Sequence, residues 1–136
     1  MSNTTLHAIG ERQFWGFSPG FNLLEDYKGK EEEVNCLLIG AYDVRHLIQT
    51  LAVQADASNK QKKINFYMIE NNLECLARHI LFVSILLDKK KEVEEKVKLF
   101  LEIHGNLYLR DVTQHYLEEH VQHMLDFFVK EEGPLV

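Results

Sequence analysis

Apolar positions along the chain fall into two kinds of pattern. Val34-Asn35-Cys36-Leu37-Leu38-Ile39 is a short, nearly continuous apolar run stopped by Gly40, and Ile64-Asn65-Phe66-Tyr67-Met68-Ile69 is a second, stopped at Glu70. Runs this short and this continuous predict strands buried on both faces of a parallel sheet. Between them, Gly40-Ala41-Tyr42-Asp43 makes a tight turn. Asp43 is placed to cap a helix from Val44 to about Gln54 that turns Leu47, Ile48 and Leu51 inward, and residues 55–63 form a polar loop. After the second strand, Asn71-Asn72 turns the chain into a helix from Leu73 to about Leu87. Its apolar residues nearly encircle the later half, which predicts burial on most sides. Two further helices follow. Lys89 to Ile103 turns Val93, Val97, Phe100 and Leu101 inward, with Gly105 as its C-cap, and the last runs from about Asp111 to Lys130. Leu107-Tyr108-Leu109 is a weak third-strand candidate. Upstream, Ser18-Pro19 reads as N-cap and first residue of a short helix through Phe21, Leu23 and Leu24, ending near Tyr27 to Gly29.

Strand, crossover helix and parallel strand make a βαβ unit, with a right-handed crossover. The predicted fold class is therefore α/β: a partial Rossmann-like βαβ unit with additional C-terminal helices. Residues 1–12 read as a flexible N-terminus, 13–130 as a single incomplete α/β domain, and 131–136 as a tail. A parallel sheet needs several strands and cover on both faces, so two strong strands look like the first part of a larger doubly wound domain.

Composition narrows the class. The chain has 136 residues, one domain's worth, with 46% hydrophobic and 26% charged residues. Two prolines and seven glycines exclude collagen and low-complexity chains. The longest apolar stretch, Ile80 to Val83 and Ile85 to Leu87 around Ser84, is far short of the roughly 20 residues that span a bilayer. No basic patch followed by an apolar run marks a secretory signal near Met1. These features predict a soluble, intracellular chain without a membrane partner. A net charge of −6 speaks against binding nucleic acid by electrostatics. The local basic runs are Lys60, Lys62 and Lys63, and Lys89 to Lys91, the second a candidate contact surface. Cys36 and Cys75 lie in apolar runs and read as small buried hydrophobes in a reducing compartment.

Four constellations bear on chemistry. Gly40 after the first strand lets a ligand approach the backbone, with the positive end of the next helix behind it, and Asp43 opens that helix. Glu70, at the end of the second strand, stands where nucleotide-binding folds place an acid against ribose hydroxyls. Gly40, Asp43 and Glu70 thus define a candidate nucleoside site, for NAD or S-adenosylmethionine. The bland alternative is that Gly40 makes a turn and Glu70 begins a loop, since a full G-x-G-x-x-G is absent. Asp43, Arg45 and His46 invite a catalytic reading, against which a capped helix start is sufficient reason for the same residues. Arg78 and His79 are placed to face the same crevice.

His46, His79, His104, His115, His120 and His123 read as surface histidines, because zinc needs three or four converging ligands and His115 and His120 do not share a helix face. No Ser-His-Asp or Cys-His set is visible. Finally, Phe14, Trp15 and Phe17 crowd three aromatics into four residues. They form either a docked arm or an exposed partner-binding site.

Longer strings carry a specific resemblance. Phe14-Trp15-Gly16-Phe17-Ser18-Pro19, VNCLLIGAYDVRHLIQTL from Val34 to Leu51, NFYMIENNLECLARHILFVS from Asn65 to Ser84, and Phe100-Leu101-Glu102-Ile103-His104-Gly105-Asn106 resemble, in the same order, segments of the dynein axonemal assembly factor 3 family. The tail from about Asp111 departs from that pattern, and the family's proteins are several times longer. The resemblance implies a cytoplasmic factor for preassembly of axonemal dynein arms, acting on dynein subunits, chaperones or other assembly factors. It also implies that this segment opens a methyltransferase-like domain. Gly40, Asp43, Arg45, His46, Glu70, Asn71, Arg78, His79, Gly105 and Asn106 fall on the family pattern, and no catalytic role is carried over to any of them. The expected cofactor is none, with S-adenosylmethionine as the alternative.

Overall fold

The computed structural model describes residues 16–56 and 62–130, with side chains as far as Asp126. Phe14, Trp15, the 1–12 segment and the 131–136 tail lie outside the described residues. The elements are β1 (Glu33–Ile39), α1 (Arg45–Asp56), β2 (Lys63–Ile69), α2 (Leu73–Leu87), α3 (Val93–Gly105) and α4 (Asp111–Lys130). The result is a mixed α/β chain with two strands and four helices among the described residues. It divides into two compact units, one up to His79 and one from Ile80 onward.

In the first unit, β1 and β2 pair in parallel, in register from Glu33 opposite Lys63 to Ile39 opposite Ile69. The expectation of strands buried on both faces is corrected. Val34 and Leu38 are buried while Leu37 and Ile39 are 59% and 72% exposed, so burial alternates as it does when only one face is packed. Apolar character alone predicted two covered faces; nothing among the described residues covers the second.

Helix starts follow their capping chemistry. Asp43 Oδ1 accepts the Arg45 N–H at 3.1 Å. Asn72 Oδ1 accepts from Glu74 and Cys75 at 3.0 and 3.1 Å, satisfying donors that a first helical turn leaves free. The third helix starts at Val93 rather than Lys89. Asp88 Oδ1 first turns the chain by accepting the Lys90 N–H, and Glu92 and Glu95 then form a capping box. Its cap is Asn106, with Gly105 still helical. Two predicted elements are absent. Ser18-Pro19 starts no helix; the segment makes only turns, through Glu25 N–H to Asn22 O and Tyr27 N–H to Leu24 O, both 3.1 Å. Leu107–Leu109 is not a strand.

The helices also bury narrower stripes than predicted. On α2 the buried residues are Cys75, His79, Phe82 and Ile85, a single helical stripe rather than an encircling surface. On α3 they are Leu99 and Glu102, whereas Val93, Val97 and Leu101 are exposed. The core of the second unit centres on Phe82, whose ring lies 4.6 Å from that of Phe100, with Ile85, Leu99 and Thr113 also buried.

Candidate functional site

The predicted site residues sit where two parallel strands end. Gly40 follows β1 with φ +61°, a left-handed conformation that only glycine adopts without strain. Open space surrounds the position of a missing Cβ, so backbone conformation, not crowding, calls for glycine here. Its N–H donates to Ile69 O at 2.9 Å, which sets Gly40 beside the start of the β2–α2 turn and Glu70. An open cleft of about 280 Å³ lies at this end of β1, lined by Phe21, Leu23, residues 37–43, Arg45 and His46. Gly40 and Asp43 line it and Glu70 does not, so the three residues share a strand-end region but not one cavity.

The polar groups at the cleft are engaged by the chain itself. Asp43 is buried and accepts the Gly16 N–H through Oδ2 at 2.9 Å, besides Arg45 N–H through Oδ1. Arg45 Nη1 lies 3.4 Å from the same carboxylate. One helical turn on, His46 Nδ1 accepts the Phe21 N–H at 3.3 Å, with the two rings 4.1 Å apart. Burial, then the charge of Arg45, lower the His46 pKa and keep the ring neutral at pH 7. A neutral imidazole that accepts at Nδ1 carries its hydrogen on Nε2, so it does not also accept from Arg45 Nε. A further turn on, Thr50, fully buried, accepts the Leu23 N–H at 2.9 Å and donates to His46 O at 2.7 Å. Asp43, His46 and Thr50 therefore form a row of acceptors that docks the backbone of residues 16–23 along α1. Gly20 lies against that helix, where an added Cβ would meet Arg45 O at 3.1 Å. Sequence reading missed this role for Thr50, because its partner is 27 residues away. Within that docked segment the Phe17 side chain is left in solvent, 87% exposed.

Glu70 also has a local task. Its Oε1 accepts the N–H groups of Asn71 and Asn72 at 2.9 and 3.1 Å and shapes the turn into α2, while Oε2 is buried without a hydrogen-bond partner among the described residues. His79 is a correction: it is buried in the α2 stripe at 3% exposure, not on the surface. Burial lowers the Arg78 pKa, and the charge of Asp43 opposes that shift; Arg78 does not line the cleft. Cys36 is half-buried and Cys75 buried, neither is in a disulfide, and burial raises the Cys36 pKa, the opposite of what a thiolate nucleophile needs. No group of three or more His, Cys, Asp or Glu among the described residues is arranged to hold a metal.

The second unit contains a pair that the sequence did not reveal. His120 Nε2 lies 2.6 Å from Ser84 Oγ. Ser84 donates its own proton to Leu81 O at 2.7 Å, so Oγ is the acceptor and His120 the donor. A nucleophilic serine requires the reverse direction, and the pair reads as a helix-to-helix strut. The His120 ring stacks on Tyr116 at 5.2 Å, and Lys91 Nζ lies over the other ring at 5.2 Å.

Comparison with known proteins agrees with the resemblance. Residues 14–109 match a family model described as domain of unknown function DUF4470, and the chain belongs to that family. It is 39% identical over 126 residues to Dynein axonemal assembly factor 3 of Xenopus laevis, covering 81% of this chain and 25% of that protein. The protein of the same name from Xenopus tropicalis is 42% identical over 119 residues, with 76% and 26% covered. The Homo sapiens protein is 34% identical over 116 residues, with 76% and 21% covered. The chain thus spans about a quarter of the length of the curated relatives it matches. No solved structure matches it.

Proposed function

We propose that the chain acts in the preassembly of axonemal dynein arms, in the cytoplasm, by binding protein: dynein subunits, chaperones or other assembly factors. The observation that carries this reading is the similarity to proteins named Dynein axonemal assembly factor 3 over 76–81% of the chain in frog and human relatives. Surface chemistry supports it. The exposed Phe17, with Phe14 and Trp15 beside it in sequence, offers an aromatic contact for a protein partner. No helix among the described residues is long and apolar enough to cross a membrane. We read the parallel β1–α1–β2 unit as the opening of a Rossmann-like, methyltransferase-like domain used as a scaffold rather than for catalysis. Asp43 is engaged by Gly16 and Arg45, Glu70 is outside the cleft, and Ser84–His120 is oriented against nucleophilic attack.

The test is a pull-down of the tagged chain, and of the tagged human relative, from cytosol of ciliated cells, with partners identified by mass spectrometry. Axonemal dynein chains or chaperones enriched with both is the expected result. Enrichment with the relative alone would move the binding function out of these residues. A titration with S-adenosylmethionine separates the enzymatic alternative. No saturable heat is expected, and saturable heat abolished by Glu70→Gln would establish a nucleoside site in place of a scaffold.

A further inference from the structure

Residues 16–23 lie on α1 without a buried residue among them, and Phe17 and Phe21 are 87% and 51% exposed. Three backbone N–H groups hold the segment down. Those of Gly16, Phe21 and Leu23 donate to Asp43 Oδ2, His46 Nδ1 and Thr50 Oγ1 at 2.9, 3.3 and 2.9 Å. The next residue, Leu24, is buried and anchors the chain, its N–H donating back to Asn22 Oδ1 at 3.0 Å. A segment with few buried apolar contacts and few hydrogen bonds opens at lower cost than the core beneath it. The three acceptors also differ in kind. A carboxyl keeps an acceptor oxygen when protonated, and a hydroxyl does not titrate. An imidazole that takes a proton on its accepting nitrogen becomes a donor at both nitrogens and accepts nothing.

We propose that residues 16–23 are a strap that lifts from α1 as one unit while β1 and α1 stay folded, with His46 as its latch: down while Nδ1 keeps its lone pair, released when Nδ1 binds a proton. The protonated ring sets an N–H against the Phe21 N–H, donor facing donor, with Arg45 Nε 3.3 Å from the other ring nitrogen. Asp43 and Arg45, at the start of α1, are the charged groups acting on His46, Arg45 disfavouring the proton and Asp43 favouring it. Tyr42 is the remaining ionisable group that lines the cleft, and residues 16–24 carry none. Because burial and then Arg45 hold the His46 pKa below its ordinary 6.5, docking is complete above about pH 6.5 and is lost as pH falls through the lowered value. The Phe21–His46 ring contact at 4.1 Å is not what fails, since a cation is attracted to an aromatic face. Lifting removes the Phe21 and Leu23 wall of the cleft and frees the oxygens of Asp43 and Thr50.

The test is amide hydrogen exchange of the 136-residue chain, read residue by residue by NMR at pH 7.5 and pH 5 and corrected for the intrinsic rate at each pH. Protection at Gly16, Phe21 and Leu23 is expected to fall together at pH 5, by roughly three- to tenfold, the worth of one hydrogen bond. Leu38 in β1 and Ile48 in α1 keep their protection. Leu23 is the informative amide, because its own acceptor, Thr50, does not titrate. His46→Asn places an oxygen near the position of Nδ1 and should stay protected at both pH values. His46→Phe keeps the ring contact without the acceptor and should be weakly protected at both. A loss confined to Phe21 overturns the single-unit strap, and a loss shared by Leu38 and Ile48 shows general unfolding in its place. A native profile that does not change with pH, or a change that persists in His46→Asn, overturns His46 as the latch.

Discussion

Phe82→Ala lowers stability by about 3–5 kcal/mol, read from urea unfolding, while Leu107→Ala changes it by no more than about 0.5 kcal/mol. Phe82 is 1% exposed and its ring meets Phe100 at 4.6 Å and His104 at 5.9 Å, whereas Leu107 is 96% exposed. Both are large apolar residues, so the contrast isolates burial from composition. Truncating Phe82 removes its transfer energy and leaves a cavity between α2 and α3 that two aromatic rings cannot fill without leaving their packed positions. For a chain of this size the loss is a large share of total stability. A cost below about 1 kcal/mol would mean that the second unit is not packed around this ring.

Much of the scaffold was legible in the sequence because it rests on local chemistry. The two apolar runs ended where Gly40 and Glu70 said they would, and Asp43 and Asn72 mark helix starts through side-chain oxygens aimed at nearby N–H groups. The candidate site was legible in part: Gly40 and Glu70 do lie at neighbouring strand ends, but of the two backbone bonds that engage Asp43 one comes from Gly16, 27 residues earlier. Distance along the chain hid the rest. Thr50, Glu102 and Thr113 look like surface residues by type and are buried because each finds a polar partner far away in sequence or on the next helix. The Ser84–His120 strut joins residues 36 apart. The continuous apolar runs, conversely, predicted cover on both faces of the sheet, and the exposed Leu37, Ile39, Tyr67 and Ile69, which no described residue buries, are where that expectation and the structure part.

Glu102→Gln lowers the melting temperature by several degrees at pH 7 and removes a step of acid sensitivity that the native chain shows. Glu102 is buried on α3 at 6% exposure and organises the start of α4 almost alone. Its Oε1 accepts the Arg110 N–H at 2.6 Å, and its Oε2 accepts Arg110 Nε and Nη2 at 2.9 and 2.7 Å and the Thr113 hydroxyl at 2.8 Å. The side-chain and backbone hydrogen bonds from Arg110 come first among the causes that hold its pKa down to about 2, from an ordinary value of 4.5. Because the folded state binds the proton more weakly than the unfolded chain, the carboxylate's contribution is complete above about pH 4.5 and is lost as pH falls toward 2. The amide keeps the shape but cannot carry the charge that Arg110 faces, and it does not titrate. Thermal melts between pH 7 and 2 should therefore converge: the native chain well above Glu102→Gln at pH 7, the two nearly equal at pH 2. Thr113→Val removes one of the four bonds and should leave the acid step in place. Parallel melting curves across that range would show that the Glu102 carboxylate does not hold α3 to α4.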